Sequence, residues 1–416
     1  MLKNKPYKYY AGITSQIGFC ATPLRLDSYN KCQFGCGYCF AATRQGYGRK
    51  STLQVSNPET LKKRLERVKN GEVKSALDEF VQRRIPFQLG GMSDPFTAVE
   101  RKHEVTLEFL KILQEYDYPV IISTKSDLIS KDCYVDILQD SNCYIRFSTT
   151  VIDNKNRHKI DHNCPPIENI YKSAELLSRK SIPISFRLQP IIPGYESNST
   201  EIINNAISSG VSHISAEYLK VPIDANVKFS KELKKLLNEN PIALYRSLGA
   251  SRMGREYQLP ISYRKEHLIE MYKKSKSNGL TFGFADNDLL LHSDGSACCN
   301  ASDLYLKSAS FFNGNISSLA KEKLDGEDII FSDYLRRWIP ENKISTYLNS
   351  KARVIVPVSE PDWLIYLKAM WDGKLGIYRP DYFDGIEMTN KLDFDGQYIY
   401  KRVTSAFEKQ ISSYNL

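Results

Sequence analysis

Cys32, Cys36 and Cys39 stand in the segment Lys-Cys-Gln-Phe-Gly-Cys-Gly-Tyr-Cys-Phe, a C-x3-C-x2-C spacing with Tyr38 just before the last thiol. Three thiolates on one tight loop can each hold one iron of a [4Fe–4S] cluster, and the fourth iron then keeps an open coordination position for a small molecule. That is a reactive site rather than a closed structural one. Structural zinc takes four closing ligands, usually as a second Cys or His pair; His158 and His162 have the spacing but not the partners. Gly35 and Gly37 let the backbone curl around a metal without a Cβ clash. A zinc loop, or three unrelated thiols, is the competing reading.

Such a loop needs a scaffold, and the rest of the chain supplies a rhythm for one. Apolar runs at Leu24–Tyr29, Ile85–Gly90, Pro119–Thr124, Cys143–Ser148, Ile182–Ile191 and Val211–Leu219 predict strands. Amphipathic stretches at Pro58–Lys69, Arg101–Tyr116, Asp127–Leu138, Pro166–Arg179 and Ser199–Ser208 predict the intervening helices. Six β/α units predict an α/β fold with a parallel sheet, a partial (β/α)6 barrel whose active site lies at the C-terminal ends of the strands. The cluster loop follows the first strand and falls at that end. So do Gly90-Gly91-Met92-Ser93-Asp94-Pro95, Lys125 with Ser126, Ser148-Thr149-Thr150, and Arg187.

The cysteine loop resembles that of the radical S-adenosylmethionine (SAM) superfamily, in which the open iron binds the amino and carboxylate groups of SAM. The resemblance implies that Cys32, Cys36 and Cys39 hold the cluster and that Tyr38 packs against the adenine. It implies further that Gly90, Gly91 and Ser93 form the segment meeting the SAM amino group, that Ser148 meets the ribose or carboxylate, and that Arg187 pairs with the carboxylate. Within the superfamily the chain is most similar to the branch of spore photoproduct lyase and DNA repair photolyase-like proteins, over roughly residues 20–220. The residues that carry this are Thr22-Pro23, Asn30, Cys39-Phe40-Ala41, Ser93-Asp94-Pro95-Phe96 with Glu100, Ser123-Thr124-Lys125-Ser126, and Arg187 through Pro193-Gly194. Gly91 and Met92 stand where the lyase has a hydrogen-donating cysteine. The implied activity is reductive cleavage of SAM to methionine and a 5′-deoxyadenosyl radical, which abstracts hydrogen from a substrate such as DNA, RNA or a nucleotide, in lyase-like repair or modification. A flavodoxin- or ferredoxin-like donor would supply the electron. Lys125 is a candidate catalytic residue. Cys298 and Cys299, on a loop near the end of the barrel domain, are candidate hydrogen donors.

Composition fits an enzyme of this kind. The chain has 416 residues and a mass of 47.6 kDa, enough for one large domain and a smaller one. We expect a basic extension over 1–19, the barrel over 20–299 and a covering or substrate domain over 300–416. No secretory h-region opens the chain and no stretch of roughly 18 apolar residues follows, so the expectation is a cytoplasmic protein with no membrane partner. Nine cysteines in no regular framework predict reduced thiols; Cys20, Cys133, Cys143 and Cys164 read as packing residues. Residues 1–50 hold eight basic side chains against one acidic, Asp27, and supply +7 of the formal +9. That asymmetry suits a polyanion or a phosphorylated substrate, or is a solvated tail. Residues 301–416 hold all three tryptophans and 18 of the 47 aromatics. There Arg336-Arg337-Trp338 and Tyr378 through Phe383 can stack bases or pack a core. A radical enzyme acting on a small metabolite or peptide, and a non-catalytic nucleic-acid binder with a structural metal, are the alternatives.

Overall fold

The computed structural model describes residues 6–14, 16–41, 52–296, 299–340, 362–375 and 378–414. An eight-stranded sheet is its frame, built from β1 (Ala11–Ile13), β2 (Leu24–Leu26), β3 (Phe87–Leu89), β4 (Val120–Thr124), β5 (Cys143–Val151), β6 (Ile184–Ile191), β7 (His213–Tyr218) and, after a small sheet of β8 (Val221–Pro222), β9 (Ser251–Met253) and β10 (Glu256–Gln258), β11 (Thr281–Phe284). The order β1-β2-β3-β4-β5-β6-β7-β11 follows the chain without reversal. β2 pairs with β3, and β4 through β7 pair successively, all in parallel. An α/β chain with a sequentially wound, mostly parallel sheet is the arrangement of a barrel wall rather than of a doubly wound sheet.

Each of the six expected strands is present, and Thr281–Phe284 adds another on the far edge. Two helices match their forecast bounds, Pro58–Lys69 and Ser199–Ser208. The Arg101–Tyr116 segment instead breaks at Glu104, which takes a left-handed φ of 51°, into Glu100–His103 and Val105–Glu115. Asp127–Leu138 likewise opens with one 3-10 turn, Leu128–Ser130, before the helix Asp132–Leu138 begins.

Alternation along the parallel strands sorts the side chains onto two unlike faces. Phe147 and Phe186 lie with ring centroids 5.8 Å apart, and Phe186 stacks on Tyr171 of the helix Ile167–Arg179, so these residues mark the helix-covered face. The opposite face is polar: Ser148 registers with Arg187 and Arg187 with Ser215, while Arg146 registers with Ser185 and Ser185 with His213. Arg146, Ser185, His213 and Ser215 are all buried. A parallel sheet covered on both faces by apolar layers would read as continuous hydrophobic runs. Here one face is reserved for polar contacts.

The chain divides into two compact units. The first is Met1–Ala11, Arg25–Lys63 and Gln88–Phe282; the second is Gly12–Leu24, Arg64–Phe87 and Gly283–Leu416. In the second, β12 (Asp328–Ile329), β13 (Ile386–Leu392) and β14 (Tyr398–Arg402) form an antiparallel sheet in the order β12-β14-β13. Its core is aromatic. Trp371 is fully buried among Phe331, Tyr334 and Tyr400, and its indole N–H donates to the Tyr398 carbonyl at 2.8 Å. Trp338 packs edge-on against Phe80 and Phe312 beneath the Arg83 guanidinium, while Arg336 and Arg337 pair with Asp333 and Glu322. Tyr378 and Phe383 both meet Phe19. These groups are engaged in packing and ion pairs within the unit. No helix among the described residues is long and apolar enough to cross a membrane.

Candidate active site

Cys32, Cys36 and Cys39 form no disulfide and lie partly exposed on the loop that follows β2. Gly35 adopts φ 61°, and a Cβ on Gly37 would press on Ser230 Cβ at 3.1 Å, so both turns depend on the missing side chain. The Gly37 amide donates to the Ile160 carbonyl at 2.7 Å and the Asn163 side chain to the Gln33 carbonyl at 3.0 Å, which docks the loop on the turn after the helix Asn154–Ile160. Burial, with the Asp94 carboxylate nearby, pushes the Cys32 thiol up to about 12. A bound cation must therefore displace that proton.

The donor set fits an iron–sulfur cluster better than a single ion. Ligands of one tetrahedral ion converge on it at about 2.3 Å from sulfur, yet among the described residues the set whose ligating atoms lie within 4.8 Å of one another is Cys36, Asp161 and Cys164, not the three loop thiols. Three thiolates spread around a loop suit a cluster with one iron apiece. Asp161 is poorly placed for a cation, because its carboxylate is already taken.

Its partners define the centre of the site. Tyr38 donates its hydroxyl proton to Asp161, Thr150 at the end of β5 donates to Asp161 Oδ2 at 2.8 Å, and Lys125 just after β4 sets its ammonium 3.6 Å from the same oxygen. Burial opposes the charge on Asp161, but Lys125, these two hydroxyls and Arg157 hold its carboxyl below the usual range. The Lys125 ammonium also lies 5.5 Å from the Tyr38 ring centroid; burial opposes its charge too, but Asp161 together with the Cys36 and Cys164 sulfurs raises its pKa. The cluster loop is thus tied through one phenol to the C-terminal ends of two strands. Cys164 lies beside Cys36, and a hydrogen bond with that sulfur, together with burial, pushes the Cys164 thiol well above its ordinary value.

The glycine-rich segment after β3 is a fixed turn. Gly90 has φ 90°, and a Cβ there would run into the Ser123 carbonyl oxygen and lie 2.8 Å from Pro95 Cδ. Asp27 accepts the Met92 amide at 2.9 Å and the Ser93 amide at 3.2 Å. Ser93 donates its hydroxyl to the Tyr29 carbonyl at 2.6 Å, so it braces the turn. Gly91 faces the aliphatic part of Arg25. Asp94 accepts from Thr124 and from the Lys125 and Phe96 amides, yet burial outweighs those bonds and pushes its carboxyl up to about 6.

The structure brings Cys32, Cys36, Cys39, Tyr38, Gly90, Gly91, Ser93 and Lys125 to one end of the first unit, where β2 to β5 terminate. Ser148 and Arg187, expected at strand ends, lie instead within β5 and β6, which run on to Val151 and Ile191, side by side in register on the polar face. Arg187 is engaged by Glu217 at 3.2 Å, and Glu217 also accepts from Gln189 and, at 2.8 Å, from Lys220. Its guanidinium must therefore share itself between Glu217 and any ligand carboxylate. Cys299 belongs to the second unit, and Cys298 lies outside the described residues. Asp161 and Cys164 went unrecognised as site residues. They stand over 120 positions beyond the cysteine loop with no motif spacing to it; the only local signal is the compact Asp-His-Asn-Cys-Pro-Pro turn, where Asn163 takes φ 57°. Cys164, read as a packing residue, stands instead beside the cluster loop.

No protein-family model matches the chain, and no curated protein matches its sequence. Among solved structures it is similar to spore photoproduct lyase complexed with dinucleoside spore photoproduct, at 15% identity and a TM-score of 0.48, covering 67% of this chain and 78% of the other. It is also similar to Streptococcus suis SuiB bound to S-adenosylmethionine, at 17% identity and a TM-score of 0.36, covering 66% of this chain and 60% of the other.

Proposed function

We propose that this chain is a radical SAM enzyme. The observation that carries the reading is the placement of three cysteines outside any disulfide, Cys32, Cys36 and Cys39, on a loop pinned by Tyr38 to the C-terminal ends of the parallel strands. Those strand ends are where folds of this type concentrate chemistry. When bound, a [4Fe–4S] cluster with SAM supplies an electron that splits the sulfonium C–S bond to give methionine and a hydrogen-abstracting 5′-deoxyadenosyl radical.

The residues of the chain do the positioning. Cys32, Cys36 and Cys39 hold the metal. The turn at Gly90 and Gly91, rigid because Asp27 takes the amides that follow it, presents backbone to the amino acid end of SAM. Tyr38 is oriented by Asp161 and Lys125, so its ring is fixed before any ligand arrives. Ser148 and Arg187 offer a hydroxyl and a shared cation from the polar face. The substrate we favour is a nucleic acid or nucleotide, on the charge asymmetry of residues 1–50.

Anaerobic reconstitution with iron and sulfide, followed by SAM and dithionite, tests this. Wild type should form 5′-deoxyadenosine, and Cys36→Ala should lose both most of its iron and that product, because two thiolates cannot hold a three-ligand cluster. A reconstituted wild type that holds iron but makes no 5′-deoxyadenosine would refute the enzyme reading and leave a metal-bearing binding protein.

A further inference from the structure

We infer that Cys164 is a positioning residue for the metal site, donating a hydrogen bond from its thiol to the sulfur of Cys36 and so raising the reduction potential of a bound cluster. The inference rests on the proposed function. Its basis is proximity held by the backbone: Cys164 and Cys36 have their sulfurs within 4.8 Å, and the two loops that carry them are joined by the Gly37–Ile160 and Asn163–Gln33 hydrogen bonds. The Cys164 turn is fixed from within as well, because the Cys164 amide donates to the Asp161 carbonyl at 3.2 Å and Asn163 sits in the left-handed region.

A mononuclear metal site at Cys36, Asp161 and Cys164 is the competing use of this trio. It is disfavoured by Lys125, whose ammonium stands 3.6 Å from the Asp161 carboxylate that such an ion would need, and by the two hydroxyls already bonded to that carboxylate. What remains is a neutral thiol beside a ligand sulfur. A cysteine is mostly protonated at neutral pH, whereas an iron-bound sulfur is an acceptor only. Hydrogen bonds to cluster sulfurs stabilise the more negative reduced state, which makes reduction easier.

The test is a reductive titration followed by electron paramagnetic resonance on anaerobically reconstituted wild type, Cys164→Ala and Cys164→Ser, with iron and sulfide assayed on each sample. All three should carry equal iron. Cys164→Ala should titrate at a more negative potential than wild type, and Cys164→Ser, which keeps a hydroxyl donor, should recover part of the difference. An alanine variant with wild-type iron and wild-type potential would overturn the inference while leaving the enzyme reading intact. An alanine variant that loses iron would overturn it in favour of direct ligation by Cys164. A wild type that takes up no cluster would remove the proposed function itself, and this inference with it.

Discussion

At the scale of single residues, the two adjacent glycines carry different constraints. Gly90 pairs a positive φ with a backbone carbonyl in the path of any Cβ, and backbone has no rotamer with which to retreat. A Cβ on Gly91 would meet the Arg25 Cγ and Cδ atoms at 3.2 Å, and that flexible side chain can move by the few tenths of an ångström required. Gly90→Ala should therefore cost about 2 kcal/mol or more of stability and weaken SAM binding, whereas Gly91→Ala should cost well under about 1 kcal/mol. Thermal unfolding and calorimetric titration with SAM on the two variants check this, and equal effects would mean that the turn is not what fixes the segment. Tyr38 shows the same economy at a polar position. Its phenol serves as an anchor to Asp161, and the Lys125 ammonium stands over its ring at 5.5 Å from the centroid. Sequence spacing marked the three thiols and the aromatic because all lie within eight residues. It was silent on Asp161 and Cys164, since contact between distant loops is decided by the turns that dock them.

At the scale of elements, buried carboxylates explain where regular structure starts and stops. Glu100 is fully buried, accepts hydroxyl protons from Tyr29 and Tyr134, and takes the Thr106 and Leu107 amides at 2.9 Å each. Those amides are unsatisfied donors of the helix Val105–Glu115, so Glu100 caps that helix from the one before, and the chain must break between them at Glu104. Periodicity alone reads 101–116 as one helix, because the break carries neither Gly nor Pro. By contrast β4 to β7 and the helices Pro58–Lys69 and Ser199–Ser208 were legible, each being an apolar run or stripe bounded by turn residues. The short strands β1, β8 and β9 have too few residues to show a period. Asp78 plays a comparable part in the second unit. It is fully buried and binds Arg64, Arg67 at 2.8 Å and the Lys74 amide at 3.0 Å. Burial opposes its charge, but Arg64, that amide and Arg67 together hold its carboxyl below the usual range. A depressed folded value means that the stabilisation is present above the ordinary carboxylate pKa and is lost as pH falls through the folded one. Asp78→Asn should lower stability by about 3 kcal/mol near neutral pH. The gap between wild type and variant in urea midpoint should start to narrow once the pH falls below the ordinary carboxylate value of about 3.9 and keep narrowing as the pH is lowered further; a gap independent of pH would show that charge is not the source.

At the scale of the whole molecule, the distribution of charge is what bears on the substrate. Asp27, the one acid among residues 1–50, is buried against the Met92 and Ser93 amides, so it does not face solvent to offset the eight basic groups around it in sequence. Lys8 is exposed, and Lys31 is partly so. Lys3, Lys5, Arg44, Arg49 and Lys50 lie outside the described residues. The aromatics of residues 301–416 argue less for a nucleic acid than their sequence did, since Trp338, Trp371, Tyr378 and Phe383 are engaged in packing. A polymer substrate therefore rests on phosphate contacts from the basic segment. Each phosphate neutralised contributes a slope of about −0.7 for single strands and about −0.9 for duplex DNA when log affinity is plotted against log salt. Neutralising Lys3, Lys5, Lys8, Arg44, Arg49 and Lys50 together should flatten that slope and weaken binding at low salt without altering iron content. The measurement is fluorescence anisotropy with single- and double-stranded DNA and RNA across a salt series. Failure of wild type to bind any of them at low salt would remove the polymer and leave a phosphorylated metabolite or a peptide as the substrate to pursue. An unchanged slope in the neutralised variant would place the phosphate contacts elsewhere, with Lys125 just after β4 and Lys220 just after β7 the cations to test next.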